Sequence, residues 1–405
     1  MRLLFVSHSL PPRGRPLDNI GGMQRVATKL HHALTEKAQR LSDLTYEAIL
    51  LRSTWERTHW RVPGFLLKTA VRLARTAMQQ SADVIVFSSM VTAALAVPLH
   101  GLFQRAGIAT AAIVHGRDVT LPVGLYQWFV PKVFNALDAV LPVSRATGVA
   151  CLERGLAPHK VQVVPNGIDR SRFPTPCPPS AMRQELTEHL DDPAHPLPSD
   201  ALLLCSVGRH VTRKGFDWFV ANVMPQVPES VHYWIAGDGP ETDAIRTAIE
   251  ANTLHPRVRL LGRISDANLT RLYRGADLFI MPNVPVPGDM EGFGIVMLEA
   301  GLCGTPAIAA RLEGIQDVIT PGVNGHLVDP ASPEAFLRTL RPYIEDEEPL
   351  AALSAQAHQH TAETFGWTAI AERYIERMRA LHATGRPSQR KAAMPSWAMD
   401  IRADA

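Results

Sequence analysis

Short apolar runs recur along the chain at intervals that suit buried parallel strands. Leu3 to Val6, Asp83 to Phe87, Ala109 to Val114 and Ala139 to Val143 form a first series, after which Val161 to Val164 leads into Pro165. Leu202 to Val207, Tyr233 to Ala236, Val258 to Leu261 and Leu278 to Met281 form a second. Near-continuous apolar residues of this kind mark strands covered on both faces. Helical stretches separate them, the first from about Met23 to Leu34. Each series therefore predicts βαβ units around a parallel sheet. Pro174, Pro176, Pro178, Pro179, Pro193, Pro196 and Pro198 interrupt the pattern between the two series. They predict a linker with one short helix near Met182 to Leu190. Trp367, Ile370, Ala371, Tyr374, Ile375, Met378 and Leu381 then recur at helical spacing. The expected organisation is an α/β domain over 1–170, a linker over 171–200, and a second α/β domain over 201–366. A helix over 367–383 and a disordered tail over 384–405 complete it.

Composition narrows the class. At 405 residues the chain suits two or three domains, each able to bury a full core. Apolar content of 46% and charged content of 20% describe an ordinary globular protein. A net charge of +2 gives no global attraction to nucleic acid, which is not expected as a partner. Cys151, Cys177, Cys205 and Cys303 lie far apart, without metal-ligand spacing, and read as free thiols of the cytoplasm. No apolar run reaches bilayer-spanning length. Arg2 and the LLFV that follows are too short for a signal peptide and read as a first strand.

The candidate chemistry sits where predicted strands end. In the richest stretch, Pro287 to Pro306, Glu291 and Glu299 stand eight positions apart. Gly292 and Gly294 bracket Phe293 and permit tight turns. Ile295 to Ala300 then continue as a buried helix, with Glu291 before it and Glu299 inside it. The first N–H groups of such a helix have no internal partner and form an anion site. After the strand at 202–207, Arg209 and Lys214 place a guanidinium fork and a mobile point charge five positions apart. The strand at 109–114 ends in His115-Gly116-Arg117-Asp118, on the edge where open α/β sheets bind ligands. Asp118 reads either as an acceptor contact or as a turn cap. Gly21-Gly22 opens a helix after the first strand and is a second candidate anion site. No Asp-x-Asp follows a strand, and Asp191-Asp192 falls in the linker, so no essential metal is expected. No G-x-G-x-x-G follows the first strand, which disfavours a nicotinamide dehydrogenase.

E-G-F-G-I-V-M-L-E at 291–299, G-R-x-x-x-x-K-G at 208–215, His115 after its strand, the Gly21-Gly22 pair and P-N-G-I-D at 165–169 carry a resemblance. Over nearly its whole length the chain resembles the family 4 retaining glycosyltransferases. The resemblance implies the GT-B fold, two Rossmann-like domains facing each other across a cleft. It also implies that the helix at 367–383 crosses back to the first domain. It implies transfer of a sugar from a nucleotide-sugar donor to a hydroxyl of a glycan or lipid-linked acceptor, with retention and without a metal cofactor. Glu291 and His115 are then contacts of the donor sugar. Arg209 and Lys214, with the amides of Gly294, Ile295 and Val296, hold the leaving diphosphate. Glu299 accepts the ribose hydroxyls, Arg263 and Ile264 meet the base, and Gly22 belongs to the donor-phosphate and acceptor loop. Retention by double displacement needs a carboxylate nucleophile beside the anomeric carbon. The motif places no obvious acid there, so same-face attack assisted by the departing phosphate is favoured. The string GDMEGFGIV resembles members that use GDP-mannose, and UDP-sugar members differ little, so both donors stay open.

Two alternatives share this fold: a sugar-nucleotide 2-epimerase, and a non-catalytic sugar-nucleotide-binding protein. A further pattern bears on location. Between Arg52 and Gln79 the chain carries Arg52, Arg57, Arg61, Lys68, Arg72 and Arg75 against the single acid Glu56. Lys68, Arg72 and Arg75 share one helical face, while Leu67, Val71, Ala74 and Met78 line another. This suits a helix lying on an anionic membrane surface. It suits equally a surface helix that packs its apolar stripe on the first domain. Family members with lipid-linked acceptors dock on membranes through this domain, so the resemblance adds an expected peripheral place on the cytoplasmic face.

Overall fold

The computed structural model describes residues 1–12, 22–173, 176–190, 196–345 and 350–383. The expected disordered tail and Asp191-Asp192 lie outside the described residues. The chain forms two units, Met1–Gly167 together with the segment from Trp367 onward, and Ile168–Gly366.

The first unit is built on a parallel sheet of β1 (Arg2–Leu10), β2 (Thr45–Arg52), β3 (Val84–Phe87), β4 (Ala109–Val114) and β5 (Ala139–Pro142). Its order is β2-β1-β3-β4-β5. Every residue of β3 and β5 is buried, as their unbroken apolar runs require. β2 was not legible from apolar runs because it is an edge strand whose exposed and covered positions alternate. The run Val161 to Val164 lies along β5 through a bridge from Val161 to Val140, with the Gln162 and Val164 N–H groups donating to the Val140 and Pro142 carbonyls at 2.9 and 3.0 Å. Pro165 follows at once and has no N–H to continue a ladder. The first helix is longer than expected, Gly22–Arg40. The helix Trp367–Ala383 buries Ile370, Ala371, Tyr374, Ile375, Met378 and Leu381 in one cluster with Leu3 and Phe5 of β1 and Leu30 and Leu34 of the first helix. Arg379 adds an ion pair to Asp43 at 2.8 Å. At about 1.5–3 kcal/mol per large apolar side chain, this face fixes the helix in place.

The second unit holds β6 (Leu202–Val207), β7 (Val231–Ala236), β8 (Val258–Gly262), β9 (Leu278–Met281), β10 (Ala307–Ala310) and β11 (Gly325–Val328). All neighbours are parallel, in the order β11-β10-β9-β6-β7-β8. From β6 the chain therefore winds outward through β7 and β8, then returns to the other side with β9. The reversal leaves a crevice beyond the carboxyl ends of β6 and β9, where doubly wound sheets bind ligands. The expected linker needs correction. The helix Pro179–Leu190 buries Met182 and Leu186, and Phe173, Leu186 and Leu197 belong to the core of this unit. The prolines interrupt regular structure there without preventing burial.

Candidate active site

The loops after β6 and β9 meet at the reversal of strand order. After β6 the chain runs through Gly208-Arg209-His210 into a single 3-10 turn, Thr212–Lys214. Gly215 then adopts a left-handed φ of 61°, and a Cβ there would come within 2.3 Å of the Pro282 carbonyl oxygen. Only glycine lets this turn press so closely on the loop after β9. The approach delivers Lys214 to Glu291: Nζ lies 2.6 Å from Oε2, with the two side chains 8% and 12% exposed. Arg213 Nη1 donates to the same oxygen at 2.8 Å, and its Nε lies 3.2 Å from Asp289 Oδ1. Burial alone pushes the Glu291 carboxyl up. The charges of Lys214 and Arg213, with hydrogen bonds from Lys214 and Asn283, outweigh it and hold the carboxyl below the usual range. Burial also lowers the Lys214 ammonium, against the opposing pull of Glu291.

The two cations expected to act as a pair differ in their partners. Lys214 is turned inward on Glu291, whereas Arg209 is exposed and makes no ion pair among the described residues. Arg209 lines an open recess of about 620 Å³ with Gly208, Gly237, Gly239, Arg263 and Ile264. Its floor is laced by backbone bonds: Gly208 N–H to Ala236 C=O at 3.0 Å, Gly237 N–H to Gly262 C=O at 2.8 Å, and His210 N–H to Asp238 C=O at 3.0 Å. A Cβ on Gly237 would lie 1.8 Å from the Gly208 oxygen, so glycine permits the lacing. Arg263 reaches Asp238 only weakly, at 3.8 Å, and Ile264 packs its apolar side against the core.

Gly294, at φ 78°, ends the loop after β9 and opens the helix Ile295–Leu302. The N–H groups of Ile295 and Val296 are therefore those of a first turn. Glu299, inside that helix, is buried and already engaged. It accepts from Arg172 Nη1 at 3.1 Å and from the Tyr273 hydroxyl at 3.1 Å. Any ribose contact shares its remaining acceptor positions with these two. Arg172 also reaches Asp266, at 3.3 Å.

Three participants escaped sequence reasoning. Arg213 beside Lys214 reads as an ordinary surface cation. Arg172 sits at the start of the proline-rich stretch. Glu313 follows β10, far along the chain from the motif, and accepts a hydrogen bond from the Glu291 N–H.

In the first unit, His115 follows β4 and its Nε2 lies 3.1 Å from the Ser88 carbonyl oxygen, beyond β3. A carbonyl only accepts, so Nε2 carries the proton. Burial lowers the imidazole's pKa against the pull of Asp118, which favours the neutral ring. Asp118 Oδ1 accepts from the preceding His115 N–H at 2.8 Å. His8, at the end of β1, contacts Ser89 Oγ through Nδ1 at 3.3 Å. Gly22 is the first residue of its helix, and Gly21 with the PPRGRP loop from Arg13 onward lies outside the described residues.

On the helix Trp55–Met78 the core-facing stripe is Thr69, Leu73 and Ala77, flanked by Phe65, Leu66, Ala70 and Ala74. Leu67 and Met78 are 71% and 70% exposed, Val71 is exposed with them, and Trp60 is 89% exposed. The expectation that Ala74 shares their face is corrected. Lys68, Arg72 and Arg75 are exposed among them, and Arg72 reaches Glu47 only at 3.9 Å.

Comparison with known proteins gives the fold and then the family. Anabaena HepE in complex with UDP superposes with a TM-score of 0.65 at 19% identity, over 94% of this chain and 100% of that one. The fold is GT-B, with two parallel-sheet α/β units. Residues 201–346 match the profile of "Glycosyl transferases group 1" and residues 20–172 that of "Glycosyltransferase Family 4". The chain belongs to glycosyltransferase family 4. A D-inositol 3-phosphate glycosyltransferase of Thermobispora bispora is 33% identical over 56% of this chain. The match spans only about half of that relative, 53% of its length. A GDP-mannose-dependent monoacylated alpha-(1-6)-phosphatidylinositol monomannoside mannosyltransferase of Corynebacterium glutamicum is 28% identical over 92% of this chain and 96% of its own. No described helix is long and apolar enough to cross a membrane.

Proposed function

We propose that the chain is a retaining, metal-independent glycosyltransferase. It moves a sugar from GDP-mannose or a UDP-sugar to a hydroxyl of a glycan or lipid-linked acceptor. The observation that carries this reading is the pairing of an open, glycine-floored recess beyond the carboxyl ends of β6, β7 and β8 with the buried Lys214–Glu291 contact that follows β6. A recess of about 620 Å³ has the size of a nucleotide site. Arg209 and the first amides of the helix Ile295–Leu302 are the groups for the leaving diphosphate. Glu291, held ionised by its two cations, accepts hydroxyls of the sugar. Those bonds strengthen as the sugar gains positive charge. His115 is carried as a residue needed for transfer. The names of the relatives supply the motive for the donors and the acceptor class: UDP for HepE, GDP-mannose and a phosphatidylinositol mannoside for the Corynebacterium enzyme. Both named relatives in sequence are transferases, which favours transfer over 2-epimerisation.

A second reading concerns place. The exposed Trp60, Leu67, Val71 and Met78 interleaved with Lys68, Arg72 and Arg75 favour docking on an anionic membrane at its cytoplasmic face.

The donor reading is tested by thermal protection across a panel of nucleotide sugars in the presence of EDTA. A ligand at a hundred times its dissociation constant adds about 2.7 kcal/mol. Protection by GDP-mannose or a UDP-sugar is expected, and protection by none of the panel ends the reading.

A further inference from the structure

Glu313 opens the 3-10 segment Glu313–Asp317 that follows β10. Its φ is +43°, a left-handed conformation that favours glycine and disfavours a residue with a side chain. Such an outlier persists where the surroundings over-determine it. Here the surroundings are the backbone of Glu291. The Glu313 carboxyl accepts from the Glu291 N–H, and the Gly314 N–H donates to the Glu291 C=O at 3.1 Å. A Cβ on Gly314 would fall 2.3 Å from the Gly292 oxygen, so the two segments touch backbone to backbone. Both backbone polar groups of Glu291 are thus held by two consecutive residues. The charged groups around Glu313 are Glu291 and Asp289 from the loop after β9, and Arg213 from the turn after β6. Lys214 stands behind Glu291.

We propose that Glu313 is a positioning residue: it fixes Glu291 through that residue's N–H, and its own charge sets how strongly the site accepts an anionic nucleotide sugar. This deepens the reading of the site as a donor site and rests on it. With Glu313 neutral, Arg213 and Lys214 balance Asp289 and Glu291. With Glu313 ionised, one net negative charge stands near the arriving diphosphate, so donor binding favours the protonated carboxyl. Burial, with like-charge repulsion from Glu291 and Asp289, pushes Glu313 up to about 7 against relief from the Glu291 N–H and Arg213. The neutral form dominates below that value and the charge appears as pH rises through it. By linkage, donor affinity present at acid pH is lost as pH rises past neutrality.

Calorimetric titration of the full chain with GDP-mannose and with UDP-glucose, from about pH 6 to about pH 8, tests this; neither diphosphate diester titrates there. A one-unit rise of the Glu313 pKa on donor binding lowers affinity about fivefold between about pH 6 and about pH 8, and a fall of about that size is expected. Glu313→Gln keeps an acceptor for the Glu291 N–H and cannot ionise, so its affinity profile is flat. Glu313→Gly relaxes the backbone and unfolds in urea no earlier than wild type, yet hydrolyses donor several-fold more slowly. A flat wild-type profile, an unchanged slope in Glu313→Gln, or full hydrolysis by Glu313→Gly overturns the proposal. Wild type that binds neither nucleotide sugar overturns the donor reading itself, and this inference with it.

Discussion

Lys214 Nζ lies 2.6 Å from Glu291 Oε2, joining the turn after the second unit's first strand to the loop after its fourth. The contact is nearly dry, so each partner depends on the other. Breaking a buried pair by removing one partner costs about 3–5 kcal/mol, whereas removing both together costs much less. Lys214→Met is therefore expected to lower unfolding stability, by less than that full range because Arg213 still reaches Glu291. Lys214→Met/Glu291→Gln should regain most of the loss. Neither variant should transfer sugar. Urea unfolding of the four proteins of this cycle checks the coupling. Additive losses would show that the contact is incidental.

Arg209 offers the opposite profile. It is exposed and unpaired among the described residues, so Arg209→Ala should leave stability within about 0.5 kcal/mol of wild type. Loss of a charge-assisted bond to a diphosphate, worth about 1.5–3 kcal/mol, should weaken nucleotide-sugar binding tenfold or more. Unchanged affinity would remove Arg209 from the diphosphate site.

The acid side of the stability profile belongs partly to His8. Burial lowers its pKa from the ordinary histidine value to about 4. The unfolded chain therefore takes up a proton first, and stability present above about pH 6.5 drains away as pH falls towards 4. The shift corresponds to roughly 3 kcal/mol. His8→Gln should flatten that part of the curve. Identical acid slopes for variant and wild type would assign the loss to other groups.

Membrane docking makes a further prediction. Each basic residue at an anionic leaflet contributes roughly 1 kcal/mol. Changing Lys68, Arg72 and Arg75 to Gln should thus weaken binding to anionic vesicles by about a hundredfold. Wild-type binding should fall with added salt. Changing Leu67 and Met78 to Ser should weaken it at any salt, because both side chains are exposed. Wild type that ignores anionic vesicles at low salt would favour an acceptor in solution.

Much of the fold was legible because parallel strands covered on both faces are written as unbroken apolar runs, as in β3, β5 and β9. β2 alternates and β10 is Ala-Ile-Ala-Ala, so neither stood out from its surroundings. The site was legible where glycine spacing and charge coincide, at 208–215 and 291–299. It was not legible where a partner arrives from a distant part of the chain. Arg172 meets Glu299 across 127 positions and Glu313 meets Glu291 across 22, and neither separation leaves a local pattern.

The central claim is that Glu291 acts on the sugar of a nucleotide-sugar donor without a metal. Release of nucleoside diphosphate from GDP-mannose and from a UDP-sugar, measured in EDTA with wild type and Glu291→Gln, tests it most directly. The account predicts release by wild type from at least one donor, and an undiminished rate in EDTA. It predicts that Glu291→Gln still binds that donor but turns it over with a barrier higher by about 2–4 kcal/mol. No release from either donor, release that requires added Mg²⁺ or Mn²⁺, or equal release by the variant would contradict it.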